Sequence, residues 1–207
     1  MLFRSDPSPE LAAMLIYLNR TGFNGLYRVN RSGAFNVPVG RYADPRICDA
    51  DHLRAVSLAL RHPSITIQHG QFDEALAEAG RDDFVYCDPP YAPLSPTASF
   101  AHYTAGGFSD EDQRRLQQAV IAAARRGATV LLSNSSAGII RRLYGGEEAR
   151  AAGLTLQLIP ARRAINANAR SRGAVDEVLV SNSDRLAALP APAMLRAPLR
   201  RRATRSA

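Results

Sequence analysis

From residue 63 to residue 182, short apolar runs alternate with stretches of helical period, and no other feature of this 207-residue chain restricts its fold as much. The runs ITIQH (65–69), FVYCD (84–88), ATVLLSN (128–134), LTLQLI (154–159) and EVLVSN (177–182) have the length and the branched or aromatic content of strands. Between them, helices are predicted over Asp73–Ala79 with Gly80 just beyond, over the stretch that Ser109 opens and Gly127 closes, and through Ile139, Ile140 and Leu143. The Ser109 helix is the best defined. Ser109 caps it, Asp110, Glu111 and Asp112 fill its first turn, and Arg125 and Arg126 fill its last, each charge complementing the helix dipole. Strands separated by helices predict an α/β sheet, mostly parallel. The last two strands have no helical pattern between them and predict a closing antiparallel hairpin.

The first 62 residues read differently. Ser8 as an N-cap, Pro9 in the first turn, and Leu11, Met14, Leu15 and Leu18 at helical spacing predict an amphipathic helix. A second helix starts near Asp49, carries Leu53, Val56 and Leu60 on one face, and stops before Pro63. Residues 19–46, between the two, are rich in Asn, Arg, Gly and aromatics without a period, and unpatterned loops of this length are usually functional. Residues 183–207 are mainly Ala, Pro and Arg and predict a disordered tail. The expected organisation is therefore 1–62, mostly helix and loop; 63–182, an α/β core; and 183–207, the tail.

Charge sharpens this division. The chain has 26 basic and 19 acidic residues and a net charge of +7, which suits an anionic partner. Six arginines and no acids follow Asp184, so the excess is mostly in the tail. Residues 19–46 form a second basic patch, with five arginines and Asp44 as the only acid. Every basic residue is arginine, which suits phosphates and guanine edges but also follows from GC-rich coding. Cys48 and Cys87, and the histidines His52, His62, His69 and His102, lack metal-ligand spacing, so no metal is expected. No apolar run approaches the roughly 20 residues that span a bilayer, and MLFRSDPSPE lacks a signal-peptide core. A cytoplasmic protein without a membrane partner is expected.

Asp88-Pro89-Pro90-Tyr91 stands at the carboxyl end of an apolar strand, where open α/β sheets bind ligands. Its two prolines fix the backbone and leave carbonyl oxygens without competing N–H groups. A carboxylate beside such a carbonyl is a double acceptor, and a tyrosine ring is a stacking face. Together they describe a pocket for a planar heterocycle with an exocyclic NH2. A plain Pro-Pro turn with Asp88 as a local cap is the alternative.

The tetrapeptide has company. LNRTGFNGLYRVNRSGAFNVPVGRY, DFVYCDPPYAPLSPTASFAHYTAGGFSDEDQRRL and ARRAINANARSRGAVDEVLVSN resemble, in this order, the DNA adenine-N6 methyltransferases of the GATC-methylating type, from about Leu15 to Asn182. The resemblance implies a partial Rossmann-like methyltransferase sheet dependent on S-adenosylmethionine, with a mainly helical target-recognition segment at the N-terminus. It implies double-stranded DNA as the partner and an adenine flipped out of the duplex. Asp88 and the Pro89 carbonyl would accept the two N6–H bonds, Pro90 would complete the rigid turn, and Tyr91 would stack on the base. Asp88, Gln71 and Phe72 would face the cofactor. In the segment Asn19–Tyr42, Arg28 would read a guanine, and Arg20, Arg31 and Arg41 would meet phosphates or base edges. Leu26 and Pro38 would make apolar contacts, Phe23 and Asn24 would fill the gap left by the flipped base, and Asn30, Asn36 and Tyr42 would support base or phosphate contacts. Amino-methylation of cytosine N4 or of RNA adenine is the alternative within enzymes, disfavoured by the leading Asp and the recognition block. A non-catalytic DNA-binding remnant is the alternative outside them.

The sequence also departs from the family. A Trp- and Lys-containing opening, a strand with a Phe-x-Gly-x-Gly turn, and a second strand ending in an acidic residue are not found, although the glycines of that turn let backbone approach the cofactor. The sheet is therefore expected to be incomplete, with an open edge on the 84–88 strand and no neighbour for 65–69. The chain is expected to be N-terminally truncated, inactive alone, and in need of a complementing fragment.

Overall fold

The computed structural model describes residues 8–30, 32–94, 107–162 and 174–184. Its centre is a mixed sheet of four strands, β1 (Phe84–Cys87), β2 (Thr129–Ser135), β3 (Thr155–Arg162) and β4 (Ala174–Ser181), in the order β1-β2-β4-β3. β1 runs parallel to β2, with Phe84 opposite Thr129 and Cys87 opposite Leu132. β4 runs antiparallel to both β2 and β3, so the closing hairpin is present as the sequence predicts. Beyond the ladder the Asn182 side chain stands in for a further strand residue, its Oδ1 accepting from Val130 N and its Nδ2 donating to Ala128 O, each at 2.8 Å.

Two expectations fail. The sheet is not mostly parallel, since only one of its three pairings is. The second failure is that residues 65–69 form no strand. Ile65 is 44 % and Ile67 72 % exposed, and a strand sequence without a neighbour leaves its N–H and C=O groups to water rather than to a ladder. Among the described residues β1 has one partner, and its other edge is open.

Among the described residues six α-helices accompany the sheet: α1 (Pro9–Thr21), α2 (Ala50–Leu60), α3 (Phe72–Ala77), α4 (Asp110–Arg125), α5 (Gly138–Tyr144) and α6 (Glu147–Ala151). The capping residues act as their chemistry suggests. Ser8 accepts from Leu11 N, Asp49 from His52 N, and Ser109 forms a reciprocal capping box with Asp112. Helix α6, beyond Gly145-Gly146, is not anticipated by the sequence patterns.

The core lies between α4, α5 and the sheet. Leu116, Val120 and Ile121 of α4 pack in one buried cluster with Val130 and Leu132 of β2, Val178 and Val180 of β4, and Ile140 and Tyr144 of α5. Arg126, at the end of α4, donates from Nε to Ala79 O (2.8 Å) and from Nη2 to Leu76 O (2.6 Å), which ties the end of α3 to α4. No side chain of α1 or α2 is buried. Between these helices the chain is irregular, as expected, with a 3-10 turn at Phe23–Gly25 and two isolated bridges, Gly22 to Val39 and Val29 to Phe35. Arg31 and the tail from Arg185 lie outside the described residues.

Candidate active site and nucleic-acid surface

The loop that leaves β1 is held by polar residues that the sequence patterns do not single out. The strand β2 ends in Ser133-Asn134-Ser135, all three buried and just beyond its pairing with β1. The Asn134 side chain accepts from Ala92 N at 3.0 Å and from Ser135 N at 2.8 Å, and donates to Gln113 Oε1 at 3.1 Å. Gln113 in turn donates to the Pro90 carbonyl at 3.0 Å, and Ser135 Oγ donates to the Ala92 carbonyl. Both amides thus have fixed orientations, because only one face of each matches its partners. The Pro90 carbonyl and both backbone groups of Ala92 are occupied by protein, whereas the Pro89 carbonyl accepts nothing among the described residues.

Asp88 is exposed, and its Oδ1 accepts from Ser133 Oγ at 2.8 Å. The Tyr86 hydroxyl lies 3.1 Å from the same Oγ. Burial pushes the Tyr91 hydroxyl above the usual phenol range, a hydrogen bond with Ser133 opposes this, and the Glu177 and Asp88 carboxylates add to the rise. The neighbouring Cys87 thiol is pushed up to about 11 by burial.

A cavity of about 330 Å³ opens beside this loop, lined by Phe72, Val85, Asp88, Pro89, Pro90 and Phe108 among others. Phe72 and Phe108 meet at a tilt, with centroids 5.7 Å apart, and the Arg115 guanidinium sits 5.3 Å from the Phe72 ring centre while pairing with Asp73 at 2.6 Å. Of the residues predicted to act on base or cofactor, Phe72, Asp88, Pro89 and Pro90 share this cavity. Gln71 and Tyr91 do not line it. Phe108, Ser133, Asn134 and Gln113 belong to the same neighbourhood, and a signal for Gln113 was available: it stands three residues before Leu116 and seven before Val120, on the apolar face of α4.

The Asn19–Tyr42 segment is largely exposed. Asn24 and Gly25 both adopt left-handed backbone, which projects Phe23 and Asn24 at the surface, and Asn19 Nδ2 donates to Gly25 O to hold the turn. Asn30 organises a hairpin tip, its Oδ1 accepting from Ser32 N, Ser32 Oγ and Ala34 N. Arg28 Nε and Nη2 contact Asn36. Tyr42 OH lies 3.4 Å from Gly22 O. Asn30, Asn36 and Tyr42 thus shape the segment, while Arg20, Leu26, Pro38 and Arg41 lie exposed on it. Among the described residues, no group of His, Cys, Asp or Glu is arranged to hold a metal, and no helix is long and apolar enough to cross a membrane.

Known proteins resemble this chain in sequence. The chain is 43 % identical over 173 residues to a Type II methyltransferase of Lactococcus lactis subsp. cremoris, covering 84 % of this chain and 58 % of that one. It is 38 % identical over 177 residues to a DNA adenine methylase of Vibrio cholerae, covering 85 % and 60 %. It is 36 % identical over 168 residues to the DNA adenine methylase of Escherichia coli K12, covering 81 % and 57 %. The chain thus spans somewhat under two thirds of the length of these relatives. Residues 4–153 match the D12 class N6 adenine-specific DNA methyltransferases, and the chain belongs to that family.

Proposed function

We propose that this chain forms the base-binding and target-recognition part of an enzyme that methylates N6 of a flipped-out adenine in duplex DNA, within GATC. The observation that carries this reading is the pair of acceptors on the loop after β1: Asp88, which gives Oδ1 to Ser133 and keeps Oδ2, and the Pro89 carbonyl, which accepts nothing among the described residues. The Asp88 carboxylate and the Pro89 carbonyl stand on a proline-stiffened backbone, while the neighbouring carbonyls of Pro90 and Ala92 are already occupied. Two adjacent acceptors suit the two N6–H bonds of adenine. Accepting both draws the amino lone pair out of conjugation with the ring and so makes the nitrogen a nucleophile. Tyr91 stacks on the extruded base, compensating part of the lost duplex stacking by on the order of 1–3 kcal/mol.

S-adenosylmethionine supplies the methyl group when bound. The residues present fit its purine, through the Phe72–Phe108 pair, and its reacting end, through Asp88 at the same cavity. Gln71, beside Phe72 but outside the cavity wall, acts at the rim of that site. In our reading residues 63–182 are part of a Rossmann-like core of a cytoplasmic enzyme, and residues 1–62 lay Arg20, Phe23, Asn24, Leu26, Arg28, Pro38 and Arg41 against DNA. The open edge of β1 is the reason to expect full activity only when a further segment pairs with it.

The test is transfer of a labelled methyl group from S-adenosylmethionine to duplexes containing GATC, the same site already N6-methylated, or a scrambled site. Transfer to GATC alone, abolished by Asp88→Ala, supports the proposal. Equal transfer to cytosine-only duplexes or to RNA rejects it. Specific binding of GATC without transfer, even after a strand-bearing segment is supplied in trans, would favour the non-catalytic reading.

A further inference from the structure

Ser133 touches two residues of the loop and strand that present the base-binding groups, Asp88 and Tyr86. Its side chain is buried, with the residue 5 % exposed. An ionised carboxylate only accepts hydrogen bonds, so the single Ser133 hydroxyl proton points to Asp88 Oδ1. The Tyr86 hydroxyl, 3.1 Å from Ser133 Oγ, is then the donor in that contact. The order of donation is thereby fixed: tyrosine hydroxyl to serine oxygen, serine proton to carboxylate. A hydroxyl whose lone pairs already accept is a stronger donor. Asp88 is exposed and has no other anchor among the described residues, so this one bond decides which way its carboxylate faces.

We propose that Ser133, supported by the Tyr86 hydroxyl, is a positioning residue that occupies Oδ1 of Asp88 and leaves Oδ2 as the acceptor presented beside the Pro89 carbonyl. The inference rests on the proposed adenine-methylating function for its consequence in catalysis, but its structural half stands separately. Without Ser133 the carboxylate rotates about its last bond, and its acceptor and that of Pro89 are no longer held to one geometry.

The experiment uses the full chain with aspartate labelled at the side-chain carboxyl carbon, the Asp88 resonance being assigned by its disappearance in Asp88→Asn. Ser133→Ala is expected to shift that resonance, the exposed Tyr86→Phe to shift it less, and Ser133→Thr, which keeps the hydroxyl, to leave it near the parent position. In methyl transfer to a GATC duplex, Ser133→Ala is expected to lower kcat about ten- to hundredfold, as misplaced reacting groups do. KM for S-adenosylmethionine and DNA should stay within about twofold, and Ser133→Thr should restore most of the rate. An unmoved Asp88 resonance in both Ser133→Ala and Tyr86→Phe overturns the proposal, as does a moved resonance with an undiminished kcat. If no methyl is transferred even with a strand-bearing segment supplied in trans, the proposed function fails, and the resonance still decides whether Ser133 orients Asp88.

Discussion

Arg28 grips Asn36 twice across a short hairpin, with Nε donating to the Asn36 side-chain oxygen and Nη2 to its main-chain carbonyl, both at 2.9 Å. The fork is thereby aimed before any ligand arrives, because the bonds hold one edge of the guanidinium and leave the remaining N–H groups facing outward. Pre-organisation of this kind lowers the ordering cost of binding.

Arg28→Ala is therefore expected to weaken discrimination at one base pair by about 1–3 kcal/mol, the usual worth of a bidentate contact to guanine. Asn36→Ala, which frees the guanidinium without removing it, should lose only part of that discrimination. Competition binding with single-base-substituted duplexes measures both. Because both residues are exposed, their unfolding midpoints should barely change.

Asn134→Ala removes one amide that serves three partners, Ala92 N, Ser135 N and Gln113 Oε1. Each buried group left without a partner costs about 1–3 kcal/mol, so the variant should lose at least about 3 kcal/mol in urea unfolding. The double variant Asn134→Ala with Gln113→Leu should lose less than the two singles added together, since they share one network.

The ion pair between α3 and α4 gives a pH dependence whose sign is fixed. A hydrogen bond from Arg115 holds the Asp73 carboxyl below the usual aspartate range, and the Ser109 hydroxyl does the same for Asp112. A carboxyl depressed in the folded state stabilises the fold above the unfolded-state pKa, and that stability is lost as pH falls through the depressed value. Tm should fall on acidification below about pH 4. In Asp73→Asn, this fall should be shallower in a series of thermal melts.

Tyr144 is 1 % exposed, and its hydroxyl has no hydrogen-bond partner among the described residues. Burial pushes that hydroxyl strongly up, which keeps it neutral. Tyr144→Phe removes an unsatisfied group without opening a cavity, and should be neutral or stabilising by about 1 kcal/mol in chemical denaturation.

The two thiols should separate by reactivity. Cys48 is exposed, whereas Cys87 is partly buried and pushed up to about 11. At pH 8 a thiol reagent should modify one cysteine in the native protein and both in denaturant, because thiolate is the reactive form.

Helix ends were legible because their chemistry is local: Ser8, Asp49 and Ser109 each cap the helix that their position predicts. The place of the Asp88–Tyr91 loop, at the carboxyl end of β1, was legible for the same reason. Residues 65–69 were misread because strand propensity does not supply a partner, and the exposed Ile67 shows what the sequence does without one. The polar supports of the loop were hidden more deeply. Gln113 looks like an ordinary helix-surface residue until its place on the face of Leu116 and Val120 is counted, and Ser133 and Asn134 look like the polar end of a strand. Their roles arise from a residue 21 positions away in one case and 45 in the other.

The one-sided pairing of β1 also sets the tempo of the loop it carries. Four residues, Phe84 to Cys87, hang on a single parallel ladder, and that ladder's other strand provides Ser133 and Asn134. Fraying of β1 from β2 would release Asp88 from its serine and Ala92 from its asparagine in one motion. Amide exchange along β1 should therefore report the lifetime of the assembled loop, with protection well below that of the central strand β4, which is paired on both sides.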